Sequence, residues 1–236
     1  MGNVNSMNAF DSAILSYLNQ FARHSQFFDA AVNALAFNHF LKGGVMVAVC
    51  WWVWFQPGPA NTRNREIIIA TFVSAVVAVI VGRMIAMYVP FRLRPVQAPN
   101  IGFVLPYGVT TDYFRTWNSF PSDHAMVFFA MSTSLWFASR KLGAILSLYV
   151  AIFVVLPRVY LGLHYPTDVV GGAAFGIVFA CLANLDRVRT LMAKPLLNWM
   201  NVHPASFYVC FLLFSEGMAT LFDPLRHIAL RLHEIL

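Results

Sequence analysis

Three short groups of polar residues carry the side chains that could do chemistry: Arg92 and Arg94 before Pro95, Ser122-Asp123-His124 after Pro121, and Arg158 with His164 and Asp168. Asp168 follows His164 by four residues, a spacing that lets the carboxylate hydrogen-bond the ring and fix its tautomer. A neutral imidazole oriented in this way is a nucleophile or a base. Guanidinium groups beside it bind a planar or tetrahedral anion through paired hydrogen bonds, and phosphate is the anion they fit. His124, at the amino end of a helix, can protonate a leaving oxygen while the free backbone N–H groups there hold phosphate oxygens. The set reads as phosphoryl transfer through a phosphohistidine, in which arginines supply the charge stabilisation that magnesium gives elsewhere. No metal and no cofactor is expected.

Each residue alone has a plainer reading. Arg94 would be an arginine snorkelling to a membrane surface, His124 a structural histidine, and Arg158, His164 and Asp168 a turn with a charged pair. Their convergence decides against those readings, and it depends on the elements that carry them.

Of the 236 residues, 59% are hydrophobic and 11% charged, where a soluble domain carries about 25% charged residues. So few charges cannot cover a water-facing surface, which makes lipid the solvent. The net charge of +6 comes from 16 scattered basic residues, with no basic run to bind nucleic acid. Cys50, Cys181 and Cys210 lie in apolar stretches and read as small core hydrophobes, neither a disulfide framework nor a zinc site. Residues 1–10 lack the basic start and apolar core of a secretory signal, so the mature chain is expected to begin here.

Apolar runs from Phe40 to Phe55, Ile67 to about Val89, Ser122 to Ser139, Leu142 to Pro157 and Thr167 to Leu185 predict five membrane helices. A sixth run, Ala205 to Phe222, is interrupted by Glu216. The fold class is therefore an all-α, polytopic membrane bundle of five to six helices. Amphipathic interfacial segments flank it: residues 1–39, with a helix over Ala9 to Phe28 that puts Ile14, Leu15, Leu18 and Phe21 on one face, and residues 223–236. Residues 40–222 form the membrane domain between them. Trp51, Trp52 and Trp54 read as an aromatic belt closing the first span.

Arg63, Arg65, Arg140, Lys141, Arg187, Arg189 and Lys194 gather on one side and mark it as cytoplasmic. The opposite side holds Arg92, Arg94, Arg115 and Arg158, and helix alternation brings all three polar groups to that non-cytoplasmic face.

At this point the residues resemble the type 2 phosphatidic acid phosphatases, a superfamily with three signatures: Lys, six residues, then Arg-Pro; Pro-Ser-Gly-His; and Ser-Arg, five residues, His, three residues, Asp. The resemblance covers roughly residues 83–172. It implies His164 as nucleophile, Asp168 as its orienting carboxylate, His124 as general acid, and Arg94 and Arg158 as phosphate ligands, with Ser122 and the Asp123 backbone adding hydrogen bonds. Pro157 stands at the serine of the third signature and Met87 at the lysine of the first. Arg92 is the first choice to replace that lysine, and Arg83, one helical turn before Met87, is the alternative. Asp123 replaces a glycine and needs a cationic partner, since a bare carboxylate would repel phosphate. Pro-Ser-Asp-His looks like the variant of the bacterial branch that dephosphorylates undecaprenyl diphosphate.

The resemblance thus implies a multi-pass lipid phosphatase of the cytoplasmic (inner) membrane, acting on undecaprenyl diphosphate at the periplasmic or outer face. Its partner is a lipid phosphate in the bilayer. The alternatives are phosphatidic acid, phosphatidylglycerophosphate or a lipid-linked sugar as donor or acceptor, or a non-catalytic lipid-binding or transport protein. The Arg92 assignment predicts that Arg92→Ala loses roughly ten- to a hundredfold in polyprenyl diphosphate hydrolysis, while Arg83→Ala and Met87→Lys change little.

Overall fold

The computed structural model describes residues 7–99, 101–111 and 118–222. Among the described residues 75% are helical and no strand occurs. Among the described residues nine α-helical segments follow one another: α1 (Ala9–Asn19), α2 (Gln26–Phe37), α3 (Phe40–Trp54), α4 (Asn61–Tyr88), α5 (Asp123–Trp136), α6 (Arg140–Tyr160), α7 (Pro166–Ala183), α8 (Asp186–Val202) and α9 (Pro204–Ala219). Local chemistry sets several starts. Asn8 caps α1 by accepting the Asp11 N–H at 2.7 Å, Ser25 caps α2 and Ser139 caps α6. Pro166 and Pro204 open α7 and α9 where no N–H is needed.

By length and composition α4, α6 and α7 can cross a membrane, and α2 with α3, bent by 60° at their junction, makes a fourth span if the pair counts as one. That is fewer than the five to six predicted from apolar runs. Helix α5 contains 14 residues, about 21 Å against a hydrocarbon core of about 30 Å. It is short because its amino end stops at the polar cluster.

The helix expected over Ala9 to Phe28 is two. It breaks after Asn19, where Arg23 takes φ 65°, and the chain turns into α2. The expected tail helix, 223–236, and Arg115 lie outside the described residues.

The tryptophans are a correction. Trp52 faces outward, whereas Trp54 is fully buried and Trp51 partly so. Trp54 stacks on Phe207 at 5.7 Å and donates to the Tyr208 hydroxyl, and Trp51 donates to Ser215 Oγ at 3.1 Å. With Gly43 against Ala219, α9 runs antiparallel along the whole of α3. Aromatic area that could have anchored an interface is used to bind two helices together. Cys181 and Cys210 likewise face outward, and only Cys50 is core.

Helices α4, α5 and α7 pack most closely, and small residues on α7 allow it. A Cβ on Gly176 would lie 2.2 Å from the Met126 carbonyl oxygen, and one on Gly172 would lie 2.7 Å from that of Ser122. Side chains four apart share a helix face, so Gly172 and Gly176 form one seam along which α5 touches α7 backbone to backbone. This contact sets Ser122 beside Asp168, whose carbonyl accepts the Ser122 N–H, and starts α5 so that His124 meets Arg158.

We expect Gly176→Leu to force the helices apart, lower thermal stability by about 1–3 kcal/mol and reduce turnover. Val170→Leu, on the outward face of the same helix, should do neither. Melting in detergent and phosphate release check both.

Candidate active site

The long connection between α4 and α5 is tied down at both ends. Asn118 donates to the carbonyls of Ala86 and Pro90 at 3.2 Å, Ser119 N–H to Arg92 O at 3.1 Å, and Ser122 N–H to Asp168 O at 3.1 Å. The loop between α6 and α7 is joined to it through the Val96 N–H on Gly162 O at 2.9 Å. These ties carry Arg94, Ser119 and His164 into one buried pocket.

His164 is buried, and its Nδ1 lies 2.9 Å from the carbonyl oxygen of Ser119. A carbonyl only accepts, so Nδ1 carries the proton and the lone pair sits on Nε2. Asp168 was expected to bind the ring, but it stands 3.9 Å from Nδ1. It acts one residue removed: its Oδ2 accepts the Ser119 hydroxyl at 2.5 Å and the Tyr165 N–H at 2.8 Å. The tautomer is the one anticipated, fixed by a different acceptor.

Arg94 donates from Nη1 to Leu163 O at 2.6 Å and lies 3.3 Å from His164 Nε2. Burial lowers its pKa to about 10, still cationic at neutral pH. Burial, and then the Arg94 charge, push the His164 pKa down to about 4, with Asp168 pulling the other way. On the facing side, Arg158 lies 2.7 Å from His124 Nε2 through Nη2, which also donates to Ala36 O at 3.1 Å. Ser122 is fully buried, and its hydroxyl has no hydrogen-bond partner among the described residues. A buried hydroxyl in that state is suited to an incoming acceptor.

Arg92 is placed otherwise than expected. Its Nη2 is 2.6 Å from Asp11 Oδ2, its Nη1 is 2.8 Å from Asp168 Oδ1 and 2.9 Å from Thr167 Oγ1, and its guanidinium lies 3.6 Å from the centre of the Tyr165 ring. A phosphate would have to break two buried ion pairs to engage it. Met87, at the position of the missing lysine, is 73% exposed and turned away from the pocket. Asp123 has the partner it required: Arg83 Nη2, at 2.6 Å from its Oδ2.

Three residues lay outside the sequence reading. Lys42 is 3% exposed in the wide π turn that opens α3, and its charge reaches His124. A lysine inside an apolar run was the available signal. Asp11 is fully buried on the inward face of α1, marked by its spacing of four from Leu15. Ser119 had no signal in spacing, because it works through its carbonyl and hydroxyl together. The cluster is cationic: among the described residues no three of His, Cys, Asp and Glu are grouped to hold a metal ion.

Two imidazoles with their Nε2 atoms toward arginines, beside a buried hydroxyl, make a cationic cluster with the chemistry to hold an oxyanion, at one end of an apolar helix bundle. Residues 67–190, more than half of the chain, match the PAP2 superfamily, and the chain belongs to that family. It is 29% identical over 170 residues to the bacitracin transport permease protein BcrC of Bacillus licheniformis, covering 70% of this chain and 74% of that one. It is 35% identical over 114 residues to an undecaprenyl-diphosphatase of Sulfolobus acidocaldarius, covering 48% and 52%. The chain thus spans from about half to about three-quarters of these relatives. The crystal structure of LpxE from Aquifex aeolicus has the same fold, with a TM-score of 0.52 at 23% identity over 78% of this chain and 98% of that one.

Two measurements follow. Because the neutral His164 ring is favoured in the fold, its NMR titration should have a midpoint near pH 4 rather than the ordinary 6.5. Against the first expectation, Arg83→Ala should raise KM about tenfold by exposing the phosphate to the Asp123 carboxylate. Asp123→Gly in the same chain should restore KM.

Proposed function

We propose that this chain hydrolyses undecaprenyl diphosphate to undecaprenyl phosphate and inorganic phosphate, on the outer face of the cytoplasmic membrane. Family membership and the named relatives make it a PAP2-type lipid phosphatase, a hydrolase with apolar, membrane-type helices. The observation that carries the catalytic reading is the pairing of two buried histidines, each with Nε2 against an arginine.

In this mechanism Arg94, Arg158 and the Ser122 hydroxyl take the terminal phosphate, and Lys42 adds charge on the His124 side. His164 Nε2 attacks phosphorus, forming an N–P bond as the bond to the bridging oxygen breaks. The electron pair leaves with the lipid monophosphate, and His124, whose Nε2 takes up a proton once the substrate phosphate draws Arg158 away from it, gives that oxygen the proton. The positive charge left on the phosphorylated ring is balanced by the nearby Asp168 carboxylate through the Nδ1–H and Ser119. Water, giving its proton to His124, then attacks phosphorus and breaks the N–P bond. This releases inorganic phosphate and restores both rings.

The outer-face assignment rests on Arg63, Arg65, Arg140 and Lys141 lying at the helix ends remote from the pocket. We further propose that α5 and α9 complete a six-helix membrane bundle. Support comes from α9 running the length of α3 and from α5 packing between α4 and α7. The name of the Bacillus relative suggests a transport role, but a pure carrier has no use for two buried histidines, each set against an arginine.

The test is phosphate release by purified protein in detergent across lipid diphosphates and monophosphates, with and without chelator. We expect polyprenyl diphosphates to be preferred and chelator to have no effect. His164→Ala should abolish turnover while binding survives. His124→Ala should lose about a hundredfold to ten-thousandfold on lipid substrates and much less on aryl phosphates, whose leaving groups need no proton.

A further inference from the structure

Asp11 belongs to α1, which lies outside the segment matched by the family model, yet its carboxylate is fully buried against the pocket. Its partners are complete. Oδ1 accepts the Thr167 N–H at 2.8 Å, and Oδ2 accepts the Thr167 hydroxyl at 2.8 Å, Asn8 Nδ2 at 2.9 Å and Arg92 Nη2 at 2.6 Å. The other end of the same guanidinium holds Asp168 at 2.8 Å.

We infer that Asp11 is a positioning residue of the active site: by sharing Arg92 with Asp168, it keeps Arg92 from neutralising the carboxylate that supports His164.

The reasoning is one of charge. One guanidinium between two carboxylates leaves that trio net negative on the Asp168 side of His164, opposite the cationic side held by Arg94, and that charge helps to balance the imidazolium formed when the ring takes a phosphoryl group. Remove the charge on Asp11 and Arg92 cancels Asp168 alone, so the phosphorylated ring loses its counter-charge. Phosphate binding through Arg94 and Arg158 is untouched. The cost therefore falls on kcat and spares KM. An acidic residue that merely fastened α1 in place would act through shape and hydrogen bonding. Asparagine keeps the shape and an oxygen for the Thr167 N–H, but its NH2 would face the Asn8 and Arg92 donors, so the split of kcat against KM and the recovery in Asp11→Glu separate the charge from the fastening.

This inference rests on the proposed phosphatase reading, and one set of assays separates the two. Purified wild type, Asp11→Asn and Asp11→Glu are compared in detergent on whichever lipid phosphate of the panel the wild type hydrolyses, with folded protein counted by thermal melting. We expect Asp11→Asn to lose about ten- to thirtyfold in kcat per folded molecule with KM within about threefold, and Asp11→Glu to keep several times more activity than Asp11→Asn. A wild-type kcat for Asp11→Asn overturns the inference, as does an Asp11→Glu no better than Asp11→Asn. If Asp11→Asn does not fold, Arg92→Lys takes its place. It keeps the charge but cannot span both carboxylates, and an unchanged kcat there overturns the inference equally. A wild type inactive on the whole panel sinks the functional reading and takes this inference with it.

Discussion

The ion pair between Arg92 and Asp168 is the contact on which the rest of the site depends. A charge removed from water is tolerated only when it is paired and its remaining hydrogen-bonding capacity is filled. Asp168 meets that condition with Arg92, the Ser119 hydroxyl and the Tyr165 N–H. Each partner then fixes something else. Ser119 turns its carbonyl to His164, Tyr165 starts α7 at the correct residue, and Arg92 draws in Asp11 with α1. A single buried carboxylate thus orders residues from four separated stretches of chain.

The helices make that arrangement rigid. The glycine seam between α5 and α7 brings two backbones together where ordinary side chains would hold them apart. The resulting contact delivers Ser122 and His124 to the pocket without a flexible loop between them and Asp168. Opposite, the bend between α2 and α3 places Ala36 O on Arg158 and leaves Lys42 buried nearby. The polar groups of the pocket therefore arrive from helices on both sides, which is the arrangement that electrostatic stabilisation without reorganisation requires.

The cation balance of the pocket is a redistribution of the family pattern. No cation occupies the position of the missing lysine, since Met87 faces outward. Arg83 instead offsets the carboxylate that Asp123 introduces, Lys42 brings charge from the α3 side, and Arg94 and Arg158 remain against the two histidines. Cations thus still surround the two histidines although the residues supplying them differ.

The sequence by itself determined the solvent, the helical class and the residues of the pocket, because those follow from composition, run length and the spacing of Arg94, Ser122, His124, Arg158, His164 and Asp168. Each is a local property, readable wherever the chain is read. What the tertiary structure decided was the pairing. Arg92 and Arg83 lie on the same side of the sequence pattern, and nothing in their spacing says that one answers Asp11 and Asp168 while the other answers Asp123. Trp54 and Trp52 are likewise equivalent as letters, and only the approach of α9 separates a buried stacking partner from an exposed ring. Asp11 was invisible for the same reason, standing 81 positions from Arg92. Which charge meets which in a low-dielectric interior depends on distances of a few ångströms between remote segments, and these exist only once the helices have packed.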